Sequence, residues 1–139
     1  MHLKRIRAPG FGFANAYPCL PVSEYEARLK GLADRMIEAN LDCLVVFGDR
    51  EHSANIAYLT GYDPRFEDAI FVMDRHGNGV LVVGNEGAGY IPAQRPDCDV
   101  ELFQEFSLPG QDRSRSPTLR KLLSDHGIGR GLAVGCVGW

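Results

Sequence analysis

Cys43-Leu44-Val45-Val46-Phe47, closed by Gly48-Asp49, is the stretch that decides the architecture. A strand with one face in water alternates apolar and polar residues, whereas this run is apolar at every position and rich in β-branched side chains. It must therefore be covered on both faces, as strands in layered α/β proteins are. Working upstream, Tyr25, Leu29, Leu32 and Met36 recur at helical spacing, with Ala33 and Ile37 widening the same face. This predicts an amphipathic helix that starts at a Ser23/Glu26 capping box and stops near Asn40. Glu24–Arg28 and Glu26–Lys30 would pair along its solvent side.

Downstream, a short helix is expected over 51–59, with Ile56 and Leu59 inward and Gly61 just past its end. Ala69 to Met73 and Val80 to Val83 flank Asp74-Arg75-His76-Gly77-Asn78-Gly79, a spacing that fits an antiparallel hairpin and is too short for a helical crossover. A helix over 86–94 is weakened by Gly87, Gly89 and Pro92, and Val100 to Phe103 reads as an edge strand. Residues 109–115 read as a loop. Ser116 and Pro117 then resemble an N-cap and first helical position, with Leu119, Leu122 and Leu123 inward and Gly127 as the stop. A last strand is expected over 132–137. Because neither helices nor fully apolar strands can hide their surfaces alone, the sum is a three-layer α-β-α fold around a mixed sheet of about five or six strands. Residues 1–21, broken by Pro9, Gly10, Gly12, Pro18 and Pro21, form an extended lead-in packing Phe11, Phe13 and Tyr17 against a domain over 22–139.

Composition narrows the function. A hydrophobic share of 45% excludes a disordered chain, and no apolar run is long enough to span a bilayer, so no membrane association and a cytoplasmic location are expected. Lys4, Arg5 and Arg7 lie at one end and five bases follow residue 107, leaving an acidic middle; with a net charge of −3, nucleic acid is a poor partner. Cys19, Cys43, Cys98 and Cys136 show no C-x-x-C spacing, and Cys43 and Cys136 read as small core hydrophobes. His2, His76 and His126 lack helical metal-ligand spacing, and no nucleophile comes with a base specified by spacing. No catalytic residue and no metal ligand is assigned. Gly84-Asn85-Glu86-Gly87-Ala88-Gly89 lacks the Gly-Lys-Ser/Thr ending of a phosphate loop and reads as a turn using glycine's conformational freedom.

The chemistry-bearing stretch is 48–68, at a strand-to-helix junction. His52 fits a local hydrogen bond or a substrate contact. Arg65, flanked by Asp63, Glu67 and Asp68, fits an intrachain ion pair or a bidentate grip on a ligand carboxylate. Asn55 reads as tying neighbouring backbone, and Tyr58 and Tyr62 as partly buried anchors.

Asn55-Ile56-Ala57-Tyr58-Leu59-Thr60-Gly61, in this order with the leading helix, Asn40-Leu41-Asp42-Cys43-Leu44-Val45-Val46, the 69–83 hairpin and Val134-Gly135-Cys136-Val137-Gly138-Trp139, resembles the N-terminal domain of the creatinase/prolidase/Xaa-Pro aminopeptidase family. The resemblance implies a ribonuclease-H-like topology and a noncatalytic role in dimerisation and substrate access. It also implies that a following catalytic domain, absent from this chain, holds two divalent ions, manganese, cobalt or zinc, on two aspartates, a histidine and two glutamates. The implied assembly is a homodimer acting on proline-containing peptides, with His52 and Arg65 as substrate-side contacts. A creatinase-type amidinohydrolase parent and a stand-alone interaction module without activity are the alternatives.

Overall fold

The computed structural model describes residues 3–10, 12 and 19–138. His2, Phe11, Phe13, Tyr17 and Trp139 lie outside them, so the aromatic packing expected of the lead-in is not described. Residues 3–10 carry no helix or strand, and Leu3 and Ile6 are exposed.

Among the described residues the elements run α1 (Val22–Glu38), β1 (Cys43–Gly48), α2 (Ala54–Thr60), β2 (Ala69–Asp74), β3 (Gly79–Val83), β4 (Asp99–Leu102), α3 (Leu119–Asp125) and β5 (Val134–Val137). The sheet order is β4-β3-β2-β1-β5. β1, β2 and β3 form an antiparallel meander, β5 lies parallel to β1 and β4 parallel to β3. The meander flanked by a parallel β5 is the ribonuclease-H-like arrangement. α1 and α2 cover one face, burying Leu29, Met36, Ile56 and Leu59 with Val46, Phe71 and Leu81. α3 covers the other, where Leu122 meets Cys43, Ile70, Val72 and Val82. Both faces of β2 and β3 are thus dry along most of their length, which is why they carry no polar alternation.

Several local expectations need correction, each for a physical reason. α1 starts one residue before Ser23: Pro21 takes the N-cap position at φ −68° and ψ 153°, its carbonyl accepts from the Glu24 amide at 3.0 Å, and no side chain caps the helix. Lys30 pairs with Asp34 at 2.7 Å rather than with Glu26, while Arg28–Glu24 forms as read. Ile37, at 53% exposure, lies off the buried stripe. α2 starts at Ala54 because the Asp49 carboxylate captures the Glu51 and His52 amides at 2.9 and 2.6 Å, holding those residues in a turn. The helix expected over 86–94 is only a 3-10 turn, Gly87–Tyr90. Thr118, not Ser116, caps α3, accepting from the Lys121 amide at 3.2 Å, and Leu119 is exposed. Ser116 is used elsewhere, accepting from the Gln104 amide at 2.9 Å. Cys136 is exposed because β5 is an edge strand, whereas Cys43 is buried, its thiol pushed up to about 11 by burial and then by Asp74.

The end of α1 was legible in outline. Asn40 has φ 55°, its amide bonds the Ile37 carbonyl at 3.1 Å, and the Leu41 amide reaches back to Met36 at 2.9 Å. This six-to-one closure turns the chain straight into β1 and packs Leu41 against the core. Asparagine tolerates the left-handed conformation and valine does not. Asn40→Val is therefore expected to destabilise the domain by about 1–2 kcal/mol, measurable as a lower urea midpoint at unchanged slope.

Candidate functional site

Register places the loops that carry chemistry. Gly48 of β1 faces Ala69 of β2, Ala69 faces Val83 of β3, and Val83 faces Leu102 of β4. The segments 49–53, 61–68, 84–91 and 103–113 therefore gather at one end of the sheet. His52 lies four residues beyond the end of β1 and Arg65 four residues before the start of β2, so both belong to this end. They have different carboxylate partners there.

His52 is half-exposed, and its Nδ1 lies 2.9 and 3.1 Å from the two Asp49 carboxylate oxygens. Burial acts to raise the Asp49 pKa, but the bonds from the His52 ring and from the His52 and Glu51 amides outweigh it and hold the carboxyl below its ordinary 3.8. The sign follows: a group depressed in the folded state stabilises above its unfolded value and loses that contribution as pH falls through the folded one. Acidification below about pH 4 is accordingly expected to release the 49–53 turn before the core unfolds, seen as His52 and Glu51 amide shifts that Asp49→Asn removes. Asp68 moves the other way, raised by its partial burial and by the nearby Asp49.

Arg65 is 67% exposed, its Nε 3.8 Å from Asp63. An open pair at that distance contributes little to stability. Glu67, expected to share Arg65's charge, does something else. It is 5% exposed, and its carboxylate accepts from the Gly87 amide at 2.9 Å and the Leu108 amide at 3.2 Å. One buried acid thus ties the loop before β2 to the two loops after β3 and β4. Beside it, Tyr62 is 1% exposed, its hydroxyl pushed up to about 12 by burial and then by Glu67. Gly84 and Gly87 have negative φ, so the glycine-rich stretch is not chosen for backbone freedom. It leaves room: a Cβ at Gly84 would meet the Glu67 carboxylate, and one at Gly87 would lie 2.5 Å from the Tyr62 hydroxyl.

A polar network completes the platform. Gln104, 1% exposed, donates to Asn85 at 2.9 Å and accepts from the Arg115 amide at 2.8 Å. Asn85 donates from its backbone to Ser107 Oγ and from its side chain to the Asp112 carbonyl, both at 2.9 Å. Sequence reasoning found neither this network nor Glu67, because their partners, most of them with a backbone group on one side, lie 11 to 41 residues away, which no spacing rule connects. Two other readings fail. Asn55 is exposed and has no side-chain hydrogen bond among the described residues, and Tyr58 is 56% exposed. Tyr58 instead lies under the Arg28 guanidinium, 4.2 Å from its carbon, and Arg28 also donates to the Tyr58 carbonyl at 2.8 Å.

One family model spans the motif region and reaches every strand of this sheet. Residues 28–136 match the creatinase/prolidase N-terminal domain. The chain belongs to that family. Its fold is similar to a solved Xaa-Pro aminopeptidase structure from Streptococcus pyogenes, with a TM-score of 0.54 at 18% identity over 84% of this chain and 93% of that one. It is also similar to the creatinase/prolidase-like N-terminal domain of a metallopeptidase candidate from Corynebacterium diphtheriae, with a TM-score of 0.51 at 13% identity over 83% and 95%. No curated protein sequence matches the chain. Among the described residues of this creatinase/prolidase N-terminal domain, no three His, Cys, Asp or Glu side chains are grouped to hold a metal, and no helix is long and apolar enough to cross a membrane. The metal pair implied by the resemblance has no ligand set among these described residues.

Proposed function

We propose that this domain is the noncatalytic N-terminal part of a metal-dependent Xaa-Pro peptidase, controlling substrate access in a homodimer through the loop end that carries His52 and Arg65. In this reading residues 22–139 form the domain and metal-assisted hydrolysis belongs to a catalytic domain elsewhere in the polypeptide. The observation that carries it is the exposed Arg65 guanidinium on a loop pinned by the buried Glu67, a cation held in place without a strong partner of its own. A planar guanidinium so presented suits a peptide carboxylate or carbonyl, and His52, fixed by Asp49, offers a second polar contact. Prolyl peptides are the substrate class, and a cytoplasmic location accompanies the reading.

Arg65→Ala in the dimer of the metal-loaded enzyme is expected to lower kcat/KM at least tenfold on a prolyl tripeptide, while leaving the domain's stability within about 0.5 kcal/mol. Unchanged kcat/KM together with unchanged dimerisation would remove the substrate-contact role. Activity on creatine and none on prolyl peptides would move the parent to the amidinohydrolase class. The interaction-module alternative draws on a different observation: among the described residues β5 is an edge strand, with Leu132 before it and Val134 at its start exposed. Stable self-association of this chain by sedimentation, with no peptidase activity in any longer gene product, would favour it.

A further inference from the structure

A groove of about 400 Å³ lies between α1, the segment that leads into β4 and the β2–β3 turn, which is at the end of the sheet opposite His52 and Arg65. Leu29, Ala33 and Pro96, all buried, give it an apolar floor, and Ile37, the α1 side chain left 53% exposed, stands on its rim. Its charges are uneven. The groove's lysine and arginine are engaged, Lys30 by Asp34 at 2.7 Å and Arg75 by Asp42 at 2.8 Å. Glu26 on α1 and Asp97 on the segment before β4 are exposed acids with no ion pair or side-chain hydrogen bond among the described residues. The lead-in carries the complementary pattern. Residues 1–23 hold Lys4, Arg5 and Arg7 and no acid. None of these bases has an ion pair among the described residues, and Leu3 and Ile6 between them are 98% and 77% exposed. Residues 19–21 are exposed as well, so both described ends of the lead-in stand clear of its own body. In an extended backbone with three residues per turn, Leu3 and Ile6 share one edge, Lys4 and Arg7 a second and Arg5 the third. An apolar edge between two basic ones matches an apolar floor between two acidic walls. Residues 3–7 so extended cover about 12 Å, and the distance from Glu26 to Ile37 along α1 is about 16 Å, so the arm fits the groove's length.

We propose that this groove receives the arm formed by residues 3–7 of a second copy of this chain, the two copies exchanging arms about a two-fold axis. Leu3 and Ile6 pack on Ile37 and the apolar floor, and the bases pair with Glu26 and Asp97. Exchange is reciprocal, so each dimer makes the contact twice. Once one arm is docked, the second docks within the complex at a high effective concentration. The occupant is a second copy rather than the same one because the described lead-in lies free of its own body, while the charges and apolar side chains it leaves uncovered are those the groove lacks. The inference stands apart from the peptidase reading, since it uses no residue of the loop end.

The test is sedimentation velocity of this chain over a concentration series. A dimer is expected at low salt, weakened about tenfold or more at about 1 M ionic strength, where the Debye length is about 3 Å. Lys4→Glu, Arg5→Glu and Arg7→Glu together reverse the arm, and Glu26→Lys with Asp97→Lys reverses the groove. Each reversal is expected to weaken the dimer about tenfold or more. All five residues are exposed, so the variants keep the fold. The chain carrying all five substitutions is expected to dimerise again, because its reversed arm and reversed groove are once more complementary, a recovery that a general charge effect does not give. A wild-type chain that stays monomeric at every concentration overturns the proposal. So does a dimer that either reversal leaves intact, which puts the contact on another surface, and so does a five-substitution chain that stays monomeric. Arm amides that shift on groove reversal in a chain that remains a monomer overturn the exchange too, because the arm then docks on its own body. A full-length enzyme that dimerises equally well with both reversals keeps the homodimer of the peptidase reading and removes the arm exchange alone.

Discussion

Glu67→Ala is expected to lower the unfolding free energy by about 3–5 kcal/mol, read from urea unfolding. Two effects add. Each hydrogen bond to an ionised acceptor contributes about 1.5–3 kcal/mol, and both the Gly87 and Leu108 amides would lose their acceptor in a buried setting. Glu67→Gln is expected to be milder, since one oxygen still accepts while the new NH2 faces an amide that can only donate. A double-mutant cycle with Gly84 sharpens the argument. A Cβ at Gly84 would meet the Glu67 carboxylate and approach the Ser107 amide to 3.0 Å, so Gly84→Ala alone is expected to destabilise by about 1–3 kcal/mol. Once Glu67 is truncated the main obstruction is gone, and the double variant should lose at least 1 kcal/mol less than the two singles combined. Strict additivity would mean that the glycine and the carboxylate do not share that space.

Gly61→Val is expected to destabilise by about 2–4 kcal/mol, with a melting temperature lower by several degrees. Gly61 closes α2 at φ 75°, a conformation that opposes any L side chain by about 1–2 kcal/mol and a β-branched one most. A Cβ there would also lie 2.9 Å from the Tyr25 hydroxyl, and Tyr25 is buried in the seam between α1 and the start of the loop platform. Gly61→Asn tolerates the left-handed backbone better and should retain more of the stability, though it meets the same tyrosine. Equal losses for asparagine and valine would assign the effect to crowding alone.

The two cases mark how far sequence reading reached. The Asn-Ile-x-Tyr-Leu-Thr-Gly run was visible as a helix with a stop, and its physical content is local: Ile56 and Leu59 one turn apart facing the core, the Thr60 hydroxyl bonding the Ile56 carbonyl at 2.8 Å, and a glycine at the left-handed closure. Glu67 was read as one more acid near Arg65, because its charge is written in the sequence and its partners are not. The same limit explains the misplaced caps. Ser23 and Ser116 are good cap residues by type, but Pro21 had already set the helix entrance in one case, and a distant amide on Gln104 claimed the hydroxyl in the other.

What the sequence determined by itself is the layering and the order of elements, since apolar runs on both faces, helical periodicity and short hairpin spacing act through neighbours a few residues apart. Which loops meet, and what holds them, was decided only by the tertiary structure. Strand register brings four loops to one end, and the buried Glu67 carboxylate locks three of them by accepting from backbone amides 20 and 41 residues away. Such bonds depend on where the chain returns in space, and one acid among 18 carries no mark in the sequence of being the one they choose.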